Sequence, residues 1–163
     1  MTPRRTTTEP TKGVFEVEWP LFGELSRALA LKVVRSYDPE LIVGVATAGV
    51  VPGAVIAAIL DREFHSIVVS RRYQSDAVRD TPAIFGAVPG GVRGKRVLLV
   101  DETCDSGATM RLAVSAVAFR TGPYEPDYHA LATESTIVLP WDREVLFEGE
   151  LVPNPLYRET IGG

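Results

Sequence analysis

The fold class this sequence predicts is α/β: a parallel twisted sheet with helices on both faces, in a single domain. Three observations carry it. Short apolar, β-branched runs at Leu41–Ala46 and residues 96–101 read as strands with both faces buried. Each run is followed by a loop of small residues and then by a segment of helical character. The 163 residues supply enough chain for one covered core. In such a fold ligands sit at the carboxyl ends of the strands.

The elements follow in order. Residues 1–13 are polar, with threonine, proline and basic residues and no apolar block, so they are expected to form a flexible arm ahead of a domain at residues 14–163. Leu21, Leu25, Leu29, Leu31 and Val34 recur at helical spacing, with Pro20 suited to the first turn because its missing N–H would go unused there. Asp38-Pro39 bars continuation, since the residue before a proline is pushed out of helical geometry. Leu41–Ala46 is a strand, residues 47–49 a loop, and a helix of small residues runs to Leu60. Residues 66–70 form a second strand. Residues 71–95 are polar and glycine-rich without a sustained period, which is long for a connection and points to a functional lid or a hairpin. Residues 96–101 are the clearest strand and residues 107–119 the clearest helix after it. Residues 128–133 and 144–148 are further strand candidates, and the proline- and glycine-rich tail is expected to be extended.

Composition narrows the function. Apolar residues make up 45% and charged residues 23%, with a net charge of −4, and the basic residues are dispersed. A phosphate backbone requires a clustered basic face, so nucleic acid is not an expected partner. Cys104 is the sole cysteine, which leaves no intramolecular disulfide and suits a reducing, cytoplasmic setting. The longest uncharged apolar stretch, residues 41–60, is broken by Thr47, Pro52 and glycines, so no membrane association is expected.

The chemistry concentrates in residues 97–110, Val-Leu-Leu-Val-Asp-Glu-Thr-Cys-Asp-Ser-Gly-Ala-Thr-Met. A buried strand delivers Asp101 and Glu102 to the edge of a sheet, where carboxylates accept hydrogen bonds from vicinal hydroxyls such as those of ribose. Asp105, Ser106, Gly107, Ala108 and Thr109 then turn into a helix. Backbone N–H groups and two hydroxyls converge there with the positive helix end behind them, which is a cradle for a phosphate monoester. The plainer alternative makes Asp105 or Ser106 a helix cap and the acids solvated, but it leaves the conjunction of strand, acid pair and Ser-Gly-x-Thr unexplained.

This segment resembles the phosphoribosyl pyrophosphate loop of type I phosphoribosyltransferases. Residues 41–53 are similar to the strand and pyrophosphate loop of the small xanthine-guanine and hypoxanthine-type enzymes, and residues 139–142, Leu-Pro-Trp-Asp, to their C-terminal Pro-Trp element. The resemblance spans residues 15–150. It implies a flexible loop and a small C-terminal hood on the sheet, and transfer of a 5-phosphoribosyl group from phosphoribosyl pyrophosphate to a nitrogenous base, purine-type, with release of pyrophosphate. It further implies that Asp101 and Glu102 hold the ribose, that Asp105 to Thr109 bind the 5′-phosphate, and that Asp105 handles a proton on the base. Thr47, Ala48 and Gly49 would form the pyrophosphate loop. Mg2+ would ride on the diphosphate, without a dedicated cage and in reach of Asp101 and Glu102. Arg71, Arg72 and Tyr73 open the long loop, as part of a closing lid or as a solvated charge pair. A homodimer is also implied.

The sequence departs from the pattern at three places. Thr47 and Ala48 stand where the purine enzymes commonly have a basic residue and glycine. Thr133 and Glu134 are the nearest candidates where those enzymes present a lysine to the base, and Thr136 replaces a stacking aromatic. Trp141 is a base contact or, as is commoner beside a proline, a packing residue. Cys104 occupies a variable position of the motif, and His65 and His129 are read as structural. A binder or regulator that keeps the cradle without turnover is therefore the alternative to an enzyme. An unrelated nucleotide-binding α/β protein is the remainder, although the chain has neither a Walker sequence nor G-x-G-x-x-G.

Overall fold

A computed structural model describes residues 13–71, 80–118 and 126–157. The chain divides into two compact units, the larger containing residues 26–129 and the smaller residues 7–25 and 130–163.

The larger unit is an α/β layer structure. Strands β2 (Leu41–Ala46), β3 (Glu63–Ser70), β4 (Ala83–Phe85) and β5 (Val97–Val100) form one sheet in the order β4-β3-β2-β5. β2 runs parallel to both β3 and β5, and β4 is antiparallel to β3. The long connection at residues 71–95 thus contains a strand that returns alongside β3. Helix α1 (Trp19–Val34) precedes β2, α2 (Val50–Leu60) links β2 to β3, and α3 (Ala108–Ala118) follows β5.

Alternation along β2 explains its unbroken apolar sequence. Leu41, Val43 and Val45 pack with Ile67, Val69 and, from α3, Met110 and Ala113. Ile42, one pleat away, packs with Ala30 of α1 and Ile56 and Ala57 of α2. Both faces are covered, so both phases of the strand must be apolar. The chain enters the sheet through a polar edge: Arg62 Nε donates to the Pro39 carbonyl at 2.8 Å, Arg96 Nε to the Asp38 carbonyl at 2.6 Å, and Tyr37 Oη to the Val97 carbonyl at 3.0 Å. Burial holds the Tyr37 hydroxyl above its ordinary pKa.

In the smaller unit, β1 (Val14–Glu16) pairs in parallel with β6 (Thr136–Val138), and β7 (Glu144–Phe147) with β8 (Glu150–Pro153) as an antiparallel hairpin turned by Glu148 and Gly149, both at positive φ. Trp19, Phe22 and Trp141 form an aromatic cluster. Buried Asn154 anchors the hairpin by donating from Nδ2 to the Asp142 carbonyl at 2.7 Å and from its backbone N–H to the Arg143 carbonyl at 2.8 Å.

Most predicted elements recur with shifted ends, β3 beginning three residues earlier than residues 66–70. One expectation is corrected. Residues 128–133 are not a strand; instead Tyr128 Oη bonds Ser36 Oγ at 2.7 Å and the His129 carbonyl accepts from Lys32 Nζ at 3.5 Å, so this segment is held by side chains of α1 and the turn after it. Part of the extended tail is likewise β8 and a short 3-10 turn at Pro155–Tyr157. The arm at residues 1–13 lies, but for Gly13, outside the described residues.

Candidate active site

Because β2, β3 and β5 are parallel, the loops that leave their carboxyl ends gather at one edge of the larger unit. Three of the five predicted site segments start there: Thr47 after β2, Arg71 after β3 and Asp101 after β5. The fourth, Asp105 to Thr109, leads from that edge into α3. Arg72 and Tyr73 lie outside the described residues.

The acid pair is set by the strand and by its own backbone. Val100 is buried, which fixes the strand end, and Asp101 and Glu102 are half-buried beyond it. Asp101 Oδ1 accepts the Glu102 N–H at 2.9 Å, so the carboxylate is oriented before any ligand arrives.

Gly49 brings the second loop against this pair. A Cβ built on Gly49 would lie 2.8 Å from Asp101 Oδ1, 2.9 Å from Asp101 Cα and 2.5 Å from the Val45 carbonyl oxygen. No side chain fits there, so the loop at residues 47–49 and the acid pair touch only because residue 49 is glycine. The Ala46–Thr47 peptide is cis, and α2 starts directly after Gly49, with the Gly53 N–H bonded to the Gly49 carbonyl at 3.1 Å.

The loop at residues 105–109 turns directly into α3. Asp105 and Ser106 are exposed, and Gly107 is buried with φ of 72°, a left-handed conformation that admits the turn into α3. The Arg111 N–H donates to the Gly107 carbonyl at 2.8 Å, which opens the helix, while Ser106 Oγ receives the Ala108 N–H at 3.4 Å. Met110 and Ala113 pin the first turns of α3 to the sheet core. The first-turn N–H groups of a helix lack intrahelical partners, and here the exposed Ser106 precedes them and the half-buried Thr109 lies in the first turn.

Cys104 is exposed within this loop, yet partial desolvation, and then the Asp101 carboxylate, push its thiol above the ordinary range. A thiol so placed is protonated at neutral pH and a poor nucleophile. Alkylation by iodoacetamide is therefore expected to be slow at neutral pH and to accelerate only at higher pH than for a free cysteine. A rate-against-pH series with Cys104→Ser as blank checks this; rapid labelling at neutral pH would contradict it.

The proposed base-pocket residues belong to the smaller unit. Thr133 and Glu134 are exposed, with Thr133 Oγ1 accepting the Ser135 N–H at 3.1 Å. Trp141 stands edge-on to Phe22 at 5.2 Å and 89° and is tilted on Trp19 at 5.9 Å, and its Nε1 is buried with no hydrogen-bond partner among the described residues. His65 bonds Glu63 at 2.8 Å on the surface of the larger unit. The contact between Gly49 and Asp101 was not legible from sequence: the glycine before α2 was visible, its neighbour across the sheet edge was not.

Parallel strands whose carboxyl ends carry an acid pair, a glycine-tight loop and a glycine turn into a helix have the arrangement in which α/β folds bind their ligands. Residues 17–122 match the phosphoribosyl transferase domain, and the chain belongs to that family. Within it the chain resembles the type I, xanthine-guanine-like members. It is 28% identical over 160 residues to a xanthine-guanine phosphoribosyltransferase of Nitratidesulfovibrio vulgaris, covering 91% of this chain and 97% of that one. The solved structure of a purine phosphoribosyltransferase from Pyrococcus horikoshii superposes with a TM-score of 0.67 at 27% identity, over 83% of this chain and 98% of that one. A transcriptional regulator of Archaeoglobus fulgidus, GfcR, is 28% identical over 114 residues, 65% of this chain and 58% of the regulator. No described helix is long and apolar enough to cross a membrane.

Proposed function

We propose that this protein transfers a 5-phosphoribosyl group from phosphoribosyl pyrophosphate to a purine-type base. The observation that carries the reading is the Gly49–Asp101 contact, which sets a loop suited to a diphosphate directly against carboxylates suited to a ribose. Asp101 and Glu102 accept hydrogen bonds from the two ribose hydroxyls. Ser106, Thr109 and the first N–H groups of α3 hold the 5′-phosphate. The loop at Thr47, Ala48 and Gly49 receives the diphosphate through N–H groups and a hydroxyl, with Arg71 at the neighbouring strand end. In the reaction the bond from C1 of the ribose to the pyrophosphate oxygen breaks and a bond from C1 to a base nitrogen forms. Carboxylates near C1 stabilise the oxocarbenium-like charge between the two events. Asp105 takes the proton that the base nitrogen loses.

Among the described residues no three His, Cys, Asp or Glu side chains form a metal cage. Two adjacent carboxylates at the diphosphate end suit magnesium, which takes oxygen ligands, keeps several waters and binds through one or two carboxylates plus substrate phosphates. Asp101 and Glu102 would hold it; when bound it supplies neutralisation of the leaving diphosphate.

The test is pyrophosphate release from phosphoribosyl pyrophosphate with magnesium across purine, pyrimidine and other heterocyclic bases, with Asp105→Asn as control. Release that requires one base and falls in the variant supports the transferase and names its acceptor. The second reading, a regulator, is favoured by the similarity to GfcR and by Thr47, which lacks the cation that would hold a diphosphate firmly. Donor binding without release for any base would select it.

A further inference from the structure

Glycines bring α2 down onto β2, and one aromatic ring lies among them. Gly44 of β2 and Gly53 of α2 are both buried, and Gly49 stands directly before α2. A Cβ built on Gly53 would lie 3.2 Å from the Gly44 Cα, so helix and strand approach backbone to backbone. A Cβ built on Gly44 would lie 2.9 Å from the Gly49 carbonyl oxygen, the same oxygen that accepts the Gly53 N–H at 3.1 Å. The seat of the loop at residues 47–49 is therefore the backbone of these two glycines.

The ring comes from β3. Phe64 pairs with Ile42, and Gly44, two residues further along β2, lies on the same face of the sheet. Phe64 reaches both glycines: its Cζ and Cε2 would be 3.0 and 3.1 Å from a Cβ on Gly44, and its Cε2 would be 2.9 Å from a Cβ on Gly53. Glycine inside a strand or a helix costs stability, and plain core filling calls for larger side chains, such as Ile42, Ile56 and Ala57 of the same cluster. What the two glycines permit is an unbroken path of close contacts from Phe64 through Gly44 and Gly53 to Gly49, and from Gly49 to Asp101.

We propose that Phe64 is a positioning residue for the loop at residues 47–49. Its ring, seated between Gly44 and Gly53, holds the start of α2 at the height at which the loop meets Asp101, and so sets the diphosphate subsite through the backbone. The inference rests on the function proposed above, in which that loop receives the diphosphate and residues 105–109 receive the 5′-phosphate.

Calorimetric titration of the full chain with inorganic pyrophosphate, and separately with ribose 5-phosphate, both with magnesium, tests it. Wild-type protein should bind both. Phe64→Leu, which removes the ring and stays apolar, should weaken pyrophosphate binding by about tenfold, less than the roughly hundredfold felt for a displacement of about 1 Å, and leave ribose 5-phosphate binding unchanged. Gly53→Ala should show the same split. The double variant Gly53→Ala with Phe64→Leu should bind pyrophosphate more tightly than either single variant, because the added methyl takes the room the ring vacates. Gly44→Ala should gain nothing from Phe64→Leu, since its Cβ also meets the Gly49 carbonyl oxygen at 2.9 Å. A wild type that binds neither probe would overturn the proposed function and this inference with it. A wild type that binds both, with Phe64→Leu leaving pyrophosphate unchanged or weakening both probes alike, or with no recovery in the double variant, would overturn the positioning role alone.

Discussion

Gly49→Ala is expected to lower pyrophosphate release by about a hundredfold, the scale on which a displacement of roughly 1 Å at a reacting centre is felt. The added Cβ would meet the Val45 carbonyl, Asp101 Cα and Asp101 Oδ1 at 2.5–2.9 Å, and two of these are backbone atoms that no rotamer change can clear. The loop must lift away from β5 or Asp101 must leave the Glu102 N–H; either way the proposed diphosphate and ribose subsites lose their spacing. Gly23→Ala is the control, because a Cβ there meets nothing within 4 Å and alanine favours the helix it would join. Its activity should match wild type and its melting temperature should hold or rise. Equal turnover in the Gly49 and Gly23 variants would remove the coupling of the two loops from the mechanism.

Asp101→Asn combined with Glu102→Gln is expected to weaken donor binding by roughly 2 to 4 kcal/mol, since hydrogen bonds to charged groups contribute about 1.5–3 kcal/mol each and both carboxylates face the ribose hydroxyls in the proposed site. That is about thirtyfold or more in the dissociation constant. Calorimetric titration with phosphoribosyl pyrophosphate measures it directly and separates affinity from turnover. The variants keep side-chain shape, and both positions are half-buried and lie beyond the strand, so the fold should be retained. Unchanged donor affinity would exclude the pair as the ribose site and move attention to the exposed Asp105.

Part of this protein is local, and that part was readable from residue order. β2 was legible because a strand buried on both faces needs apolar residues in both phases. α1 was legible because its period and its bounding prolines are properties of consecutive residues. The local geometry of residues 97–110 was legible for the same reason: a strand, two carboxylates, a glycine turn and a helix start are contiguous. Three-residue strands such as β1, β4 and β6 were missed, because they are shorter than any period and exist through the partner they bond. Residues 128–133 failed in the opposite sense, having a strand-like sequence whose local preference lost to side-chain bonds from Ser36 and Lys32.

The sequence by itself determined the α/β class and the order of the main strands and helices, since these rest on short-range sterics and on which residues must avoid water. Only the tertiary structure decided which loops meet. That residue 49 touches Asp101, that α1 and α2 cover one face of β2 and α3 the other, and that Leu146 stands opposite Leu151 are long-range pairings, set by strand register and by the space left between packed backbones.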